Sequence, residues 1–153
     1  MGIEIERKFL IDIDKITNLG MGTSIKQGYI SNEINPTVRL RTRETKGYIT
    51  VKGENTDISR PEFEYEIPIK DALEMMSLFC KTTLSKTRYE VLVGSHIWEI
   101  DIFHGDNDGL IIAELELKTD DEDFVMPDWV INEVSDETMY YNSNLIKKPF
   151  CSW

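Results

Sequence analysis

The sequence predicts a mainly β fold of α+β type: eight antiparallel β-strands, enough to close into a barrel, with a few flanking helices. Three observations predict it. Charged residues recur at every second position in segment after segment, the period at which a strand returns a side chain to the same face. Helical patterns are too few to supply the crossovers that parallel strands need, so neighbouring strands run antiparallel. The strand count reaches eight, which is enough to close a barrel around packed or charged side chains.

The elements follow in order. "IEIERKFLI" opens the chain with Glu4, Glu6 and Lys8 on one face and Ile3, Ile5 and Phe9 on the other. "DIDKITNLG" reads as a short helical turn closing at Gly20, and "SIKQGYIS" as the second strand. "PTVRLRTRE" aligns Arg39, Arg41 and Arg43 opposite Val38 and Leu40, and "YITVKG" ends on Lys52. The polar loop "ENTDISRP" leads into "EFEYEI", where Glu62, Glu64 and Glu66 alternate with Phe63, Tyr65 and Ile67.

"KDALEMMSLFC" carries Leu73, Met76 and Phe79 at helical spacing, which predicts an amphipathic helix packed on the sheet through that stripe. "TLSKTRYEVLV" sets Lys86, Arg88 and Glu90 against Thr87, Tyr89 and Val91, and "HIWEIDIF" sets Glu99 and Asp101 against Trp98, Ile100 and Ile102. The Gly, Asn and Asp residues of "HGDNDG" predict a tight connection to "LIIAELELK", where Glu114, Glu116 and Lys118 oppose Ala113, Leu115 and Leu117. "TDDEDFVMPD" reads as an acidic, exposed loop. "WVINEVSDETMYYNSNLIKKP" reads as a short apolar run and a final helix, with Asp136 as N-cap and Pro149 as its stop.

The chain has 153 residues, 41% hydrophobic and 10% aromatic, so one globular domain spanning residues 1–153 is expected. Nothing approaches a membrane span of roughly 20 apolar residues, and Glu4 follows the start too closely for a secretory leader, which leads to the expectation of a cytoplasmic protein. Cys80 and Cys151 form no metal or disulfide framework. A net charge of −11 argues against general nucleic-acid or anionic-membrane binding. "HGDNDG" lacks the carboxylates a calcium loop needs at its first and last positions, no phosphate-cradling glycine loop is present, and His96 and His104 fit no metal spacing.

The charged faces themselves carry the chemistry. They read E/E/K, R/R/R, E/E/E, K/R/E, E/D and E/E/K, where a solvent face ordinarily mixes Thr, Ser, Asn and Gln. Apolar residues between them suit a barrel wall covered outside by helices, with the charges converging inside. Like charges about 4 Å apart repel by roughly 4 kcal/mol at an effective dielectric near 20, so cations must share that space. Clustered carboxylates without His or Cys suit hard ions such as Mg²⁺ or Mn²⁺, while Arg and Lys suit phosphate oxygens.

"IEIERK" resembles the ExExK signature of the CYTH superfamily, the triphosphate tunnel metalloenzymes. "VRLRT", "TVKG", "RPEFEYEI", "SKTRY", "EID", "AELELK" and the closing "YYNSNLIKKPF" are similar to the family's remaining motifs, in the same order. The resemblance implies an eight-stranded antiparallel β-barrel forming a closed tunnel, which acts on a small-molecule triphosphate with one or two Mg²⁺ or Mn²⁺ ions. Lys8, Arg39, Arg41, Lys52, Lys86 and Arg88 would hold the phosphate oxygens, and Glu4, Glu6, Glu62, Glu64, Asp101, Glu114 and Glu116 would bind metal or orient water. Glu4, Glu6, Lys8 and Lys86 form the expected catalytic set. Glu66, Arg43, Glu90, Glu99 and Lys118 are assigned to the tunnel mouths, and Tyr29 to packing.

Among the family's substrates, inorganic triphosphate comes first, because aromatic groups of the motif strands fall mostly on the outer face and the chain is compact. Adenylate cyclase activity, or hydrolysis of thiamine triphosphate, a nucleotide or an RNA 5′ end, is the enzymatic alternative. A polyphosphate- or nucleotide-binding module is the non-enzymatic one. A monomer or homodimer is expected, without nucleic-acid or membrane partners.

Overall fold

Residues 2–33, 35–54, 56 and 58–153 are described by the structure, a computed structural model. Asn55 and Asp57 of the "ENTDISRP" loop lie outside these residues. The elements are β1 (Gly2–Ile11), β2 (Thr23–Asn32), β3 (Thr37–Arg43), β4 (Lys46–Lys52), β5 (Ser59–Ile67), α1 (Ile69–Phe79), β6 (Thr83–Val93), β7 (His96–Phe103), β8 (Ile111–Glu116), β9 (Val130–Glu133) and α2 (Asn142–Lys147). The strands pair in the order β5-β4-β3-β2-β6-β7-β8-β1, and β5 returns to β1, so eight antiparallel strands close on themselves. β9 is an addition outside the ring.

β1 makes the closure possible because it divides one edge between two partners. Gly2–Ile5 pair with Ser59–Glu62 of β5, while Phe9–Ile11 pair with β9; the opposite edge of Glu6–Leu10 lies along β8. The seam between β1 and β5 is therefore only four register pairs long. The apolar run of "WVINEV", expected as an unassigned stretch, is this ninth strand. Val134 continues the tie by donating its N–H to the Lys8 carbonyl at 2.8 Å, and the Ser135 hydroxyl accepts from Lys8 N–H at 2.9 Å. With residues 134–135 still held by β1, no helix begins at Asp136. α2 starts six residues later, with Tyr141 at its N-cap position.

Two layers cover the barrel wall. On β1, β7 and β8, Phe9, Trp98, Ala113 and Leu115 are buried beneath Trp129 and Phe124, with ring centroids 5.2 Å from Trp98 to Trp129 and 5.8 Å to Phe124. The acidic loop is therefore anchored by Phe124 and not wholly exposed as expected. Arg7 tightens it, lying 4.9 Å over the Phe124 ring while donating to Glu133 at 2.8 Å.

On β2, β3 and β4, α1 packs through Ala72 and Met76. The expected stripe of Leu73, Met76 and Phe79 is corrected here, for Leu73 and Phe79 are 45% and 56% exposed. The reason lies in the wall: Gly47 offers no side chain, and a Cβ there would meet Ala72 Cβ at 2.7 Å. The helix settles on that depression with its smallest residue and turns its larger neighbours outward.

A third apolar group, Leu84, Phe103, Leu110, Ile112 and Leu145 with Leu10 and Phe150 packed against it, occupies one end of the barrel, where α2 lies. Asn32 of β2 fastens α2 by donating to the Ser143 carbonyl at 2.7 Å.

Candidate functional site

Strand pairing decides which side chains meet inside. Residues directly opposite one another in an antiparallel pair share a face. Tyr29 opposes Arg39, Lys52 opposes Glu62, Lys8 opposes Glu114, Glu6 opposes Glu116, and Arg88 opposes Asp101. Together these faces bound a cavity of about 460 Å³, within the usual range for small-molecule sites of about 300–1,000 Å³.

Of the sequence-predicted residues, Glu4, Glu6, Lys8, Arg39, Arg41, Lys52, Glu62, Glu64, Lys86, Arg88, Glu114 and Glu116 all line it. Asp101 does not. It is fully buried behind the wall, accepting from Lys86 Nζ and from Arg88 Nε and Nη2, the two Arg88 bonds at 2.7 Å each.

The cavity is divided by charge. Cations on β3, β4 and β6 face carboxylates on β1, β5, β7 and β8. Arg60 on β5 and Lys8 on β1 are the exceptions, standing among the acids; Lys8 has Nζ 2.6 Å from Glu6 and 2.7 Å from Glu114. Burial opposes its charge, yet these two carboxylates raise its pKa above the ordinary lysine value. Burial likewise opposes the Glu114 carboxylate, but Lys8, Lys86 and Arg88 outweigh it and hold the group well below the usual range. Arg88 reaches Glu114 at 2.7 Å and also bonds Glu99. Glu4 accepts from Lys52 at 2.6 Å and from Arg60 at 3.0 Å, and against the cost of burial these cations bring it down to about 2.

Three carboxylates behave oppositely, and one is Glu99, whose pKa burial raises despite the nearby Arg88. Burial raises the Glu62 pKa, and burial with the nearby Glu4 and Glu6 charges raises that of Glu116. Glu116 has no ion pair among the described residues, and Glu62 reaches only Lys52, at 3.8 Å. On the basic side, Nε of Arg39 and Nε of Arg41 are buried without a hydrogen-bond partner among the described residues. Buried guanidinium donors left unpaired are costly unless an acceptor enters.

Several residues of the wall were not singled out from sequence. Arg60 lines the cavity and continues the two-residue period of Glu62 and Glu64 backwards, so the signal was present in "RPEFEYE". Thr50 is buried between Arg39 and Glu64, donating to the latter at 2.7 Å. Glu99 and Arg43, both assigned to the mouths, line the cavity with about a third of each side chain exposed, and Arg43 pairs with Glu90 at 3.0 Å. Tyr29, assigned to packing, also faces the cavity, its hydroxyl accepting from Gln27 Nε2 at 3.1 Å. Its inward aim follows from the register opposite Arg39, which no single-strand pattern contains. Glu66 pairs with Lys46 at 3.1 Å outside the cavity lining.

Metal-binding chemistry fits the donor set, which consists of hard carboxylate oxygens on adjoining strands. Among the described residues, however, no three acidic, His or Cys side chains converge closely enough to hold an ion. Except for Glu116 and Glu62, the carboxylates turn instead toward the side-chain cations just described. No helix among the described residues is long and apolar enough to cross a membrane.

Known proteins resemble the chain in sequence and in fold. The chain is 44% identical over 151 residues to an inorganic triphosphatase of Acetivibrio thermocellus, spanning 98% of this chain and 97% of that protein. It is 30% identical over 146 residues to an inorganic triphosphatase of Nitrosomonas europaea, spanning 93% and 95%. A crystal structure of an inorganic triphosphatase superposes with a TM-score of 0.65 at 28% identity, over 94% of this chain and 97% of that chain. A putative adenylate cyclase from Bacillus halodurans superposes with a TM-score of 0.58 at 18% identity, over 78% and 83%, a likeness of fold alone. The CYTH domain profile matches residues 2–148, and with the closed barrel and its charged interior this places the chain in the CYTH domain family.

Proposed function

We propose that the chain hydrolyses inorganic triphosphate to pyrophosphate and phosphate, using one or two Mg²⁺ or Mn²⁺ ions. The observation that carries this reading is the cavity's basic wall, where Arg39 and Arg41 keep buried Nε donors, unpaired among the described residues, beside Lys52, Lys86 and Arg88. A chain of phosphate oxygens supplies the acceptors that those donors lack. The two relatives named inorganic triphosphatase support the choice of substrate.

In this reading Arg39, Arg41, Lys52, Lys86 and Arg88 replace the water around the triphosphate and fix its course through the barrel. Lys8, held positively charged by its two carboxylates, adds charge where negative charge builds on the transferring group. Asp101 acts through other residues, setting the positions of Lys86 and Arg88 from behind the wall. Glu4, Glu6, Glu62 and Glu116 are the carboxylates placed to hold a divalent ion or to orient the attacking water, and Glu64 is engaged with Arg39, Arg41 and Thr50. A bound divalent ion neutralises and aligns the phosphate chain.

The test is phosphate release from triphosphate, measured beside ATP and pyrophosphate, with Mg²⁺ or Mn²⁺ and with chelator. Metal-dependent release from triphosphate, exceeding that from ATP, is expected. Cyclic AMP formation from ATP would instead establish the cyclase, and tight triphosphate binding without release would establish a binding module.

A further inference from the structure

Glu4 is served by two cations where one would neutralise it. Lys52 donates to both of its oxygens at 2.6 Å, and Arg60 adds Nε at 3.0 Å. The two cations are held differently. Lys52 is buried in the basic wall, whereas Arg60 is a quarter exposed, has Glu4 as its one ion-pair partner among the described residues, and makes no other side-chain hydrogen bond to them. Its place is set by the backbone: Arg60 and Glu4 are directly opposed in the four-pair seam that closes the barrel. The side chain thus lines the cavity with the rest of its guanidinium unengaged by the described residues.

A divalent ion needs carboxylate oxygens free of competing cations, and a guanidinium in contact with the same oxygens repels it. We propose that Arg60 is a resident counter-ion of Glu4 that competes with the divalent ion for this carboxylate and, once displaced, turns onto the triphosphate. This rests on the metal-dependent reading above and extends it, for one side chain then couples the two binding events. Before the exchange Arg60 keeps the seam neutral; after it, the ion takes Glu4 and the freed guanidinium meets an anion that the same ion has helped to bring in. Such coupling is typically worth 5- to 150-fold in affinity.

The experiment titrates Mn²⁺ alone into the protein by calorimetry, without substrate. Arg60→Gln is expected to bind Mn²⁺ about tenfold more tightly than the native chain, while Arg60→Lys, which keeps the charge, stays near it. With Mn²⁺ saturating, Arg60→Gln should raise KM for triphosphate more than it lowers kcat. Unchanged or weaker Mn²⁺ binding by Arg60→Gln overturns the competition, and an unchanged KM overturns the transfer to substrate. Arg60→Met, which keeps the apolar stem, serves if the Gln variant does not fold. Glu4→Gln and the native chain separate the two levels: no Mn²⁺ binding by the native chain overturns the metal-dependent reading, whereas native-like binding by Glu4→Gln shows that Glu4 is not a ligand and overturns the role of Arg60 alone. If Glu4→Gln loses Mn²⁺ while Arg60→Gln shows no gain, only the role of Arg60 falls.

Discussion

Glu116 faces Glu6 across β1 and β8 with no cation of its own, so its charge costs the folded state. The sign follows from linkage. A carboxyl whose pKa is raised by folding withdraws stability as pH climbs from its ordinary 4.5 through the folded value. Glu116→Gln should therefore raise Tm near neutral pH, lose that gain below about pH 4, and depress triphosphate turnover; thermal melts at the two pH values, beside an assay, check it. Asp101 has the opposite standing. Its carboxylate is wholly enclosed by Lys86 and Arg88, and removing one partner of a buried pair costs about 3–5 kcal/mol. Asp101→Asn should lower urea stability by that order and weaken triphosphate binding as well. A variant with native stability would show that Lys86 and Arg88 need no anchor. The period-two pattern identified Glu116 and Asp101 as inward-facing, but period alone does not separate a side chain at the cavity surface from one behind it. That distinction needs the neighbours, and so do the roles of Arg60 and Tyr29.

The eight strands of the ring were legible because each carries its own alternation of charge and apolar residues. The exceptions were elements decided by partners. β9 is four residues long and is a strand only because the second half of β1 has a free edge there. The start of α2 was misplaced because Asp136 has cap chemistry, while the bonds of Val134 and Ser135 to Lys8 keep the chain extended past it. The buried stripe of α1 was misassigned because a glycine on another element sets the contact. The structure makes this quantitative. Gly47→Ala would bring a Cβ within 2.7 Å of Ala72 and 3.1 Å of the Ile67 carbonyl oxygen. Overpacking of this kind typically costs about 1–3 kcal/mol, so a chemical melt should show a loss in that range with turnover per folded molecule retained. No loss would mean that α1 rides more loosely on the wall than its burial implies.

At the scale of the molecule, a chain of net charge −11 gathers eight of its 17 Lys and Arg side chains around one cavity. Glu4 and Glu114, both depressed in pKa, contribute stability that is present above about pH 4.5 and is lost as pH falls, for Glu4 toward about 2. Acid titration should consequently unfold the protein across that window, and a triphosphate with Mg²⁺ should raise Tm at neutral pH, by about 2.7 kcal/mol of stability at 100-fold over its dissociation constant. Unfolding already complete near pH 5 would contradict these ion pairs. The divided edge of β1 bears on how the molecule is made. β1 is synthesised before all three of its partners, and about a hundred residues separate Ile11 from Ile111, where β8 begins. At about 5–20 residues per second, translation leaves that interval on the order of 5–20 seconds long. Throughout it, the strand that will close the ring trails from the ribosome with Ile5, Phe9 and Ile11 uncovered, and a nascent chain arrested before Glu116 has no complete wall to bind anything.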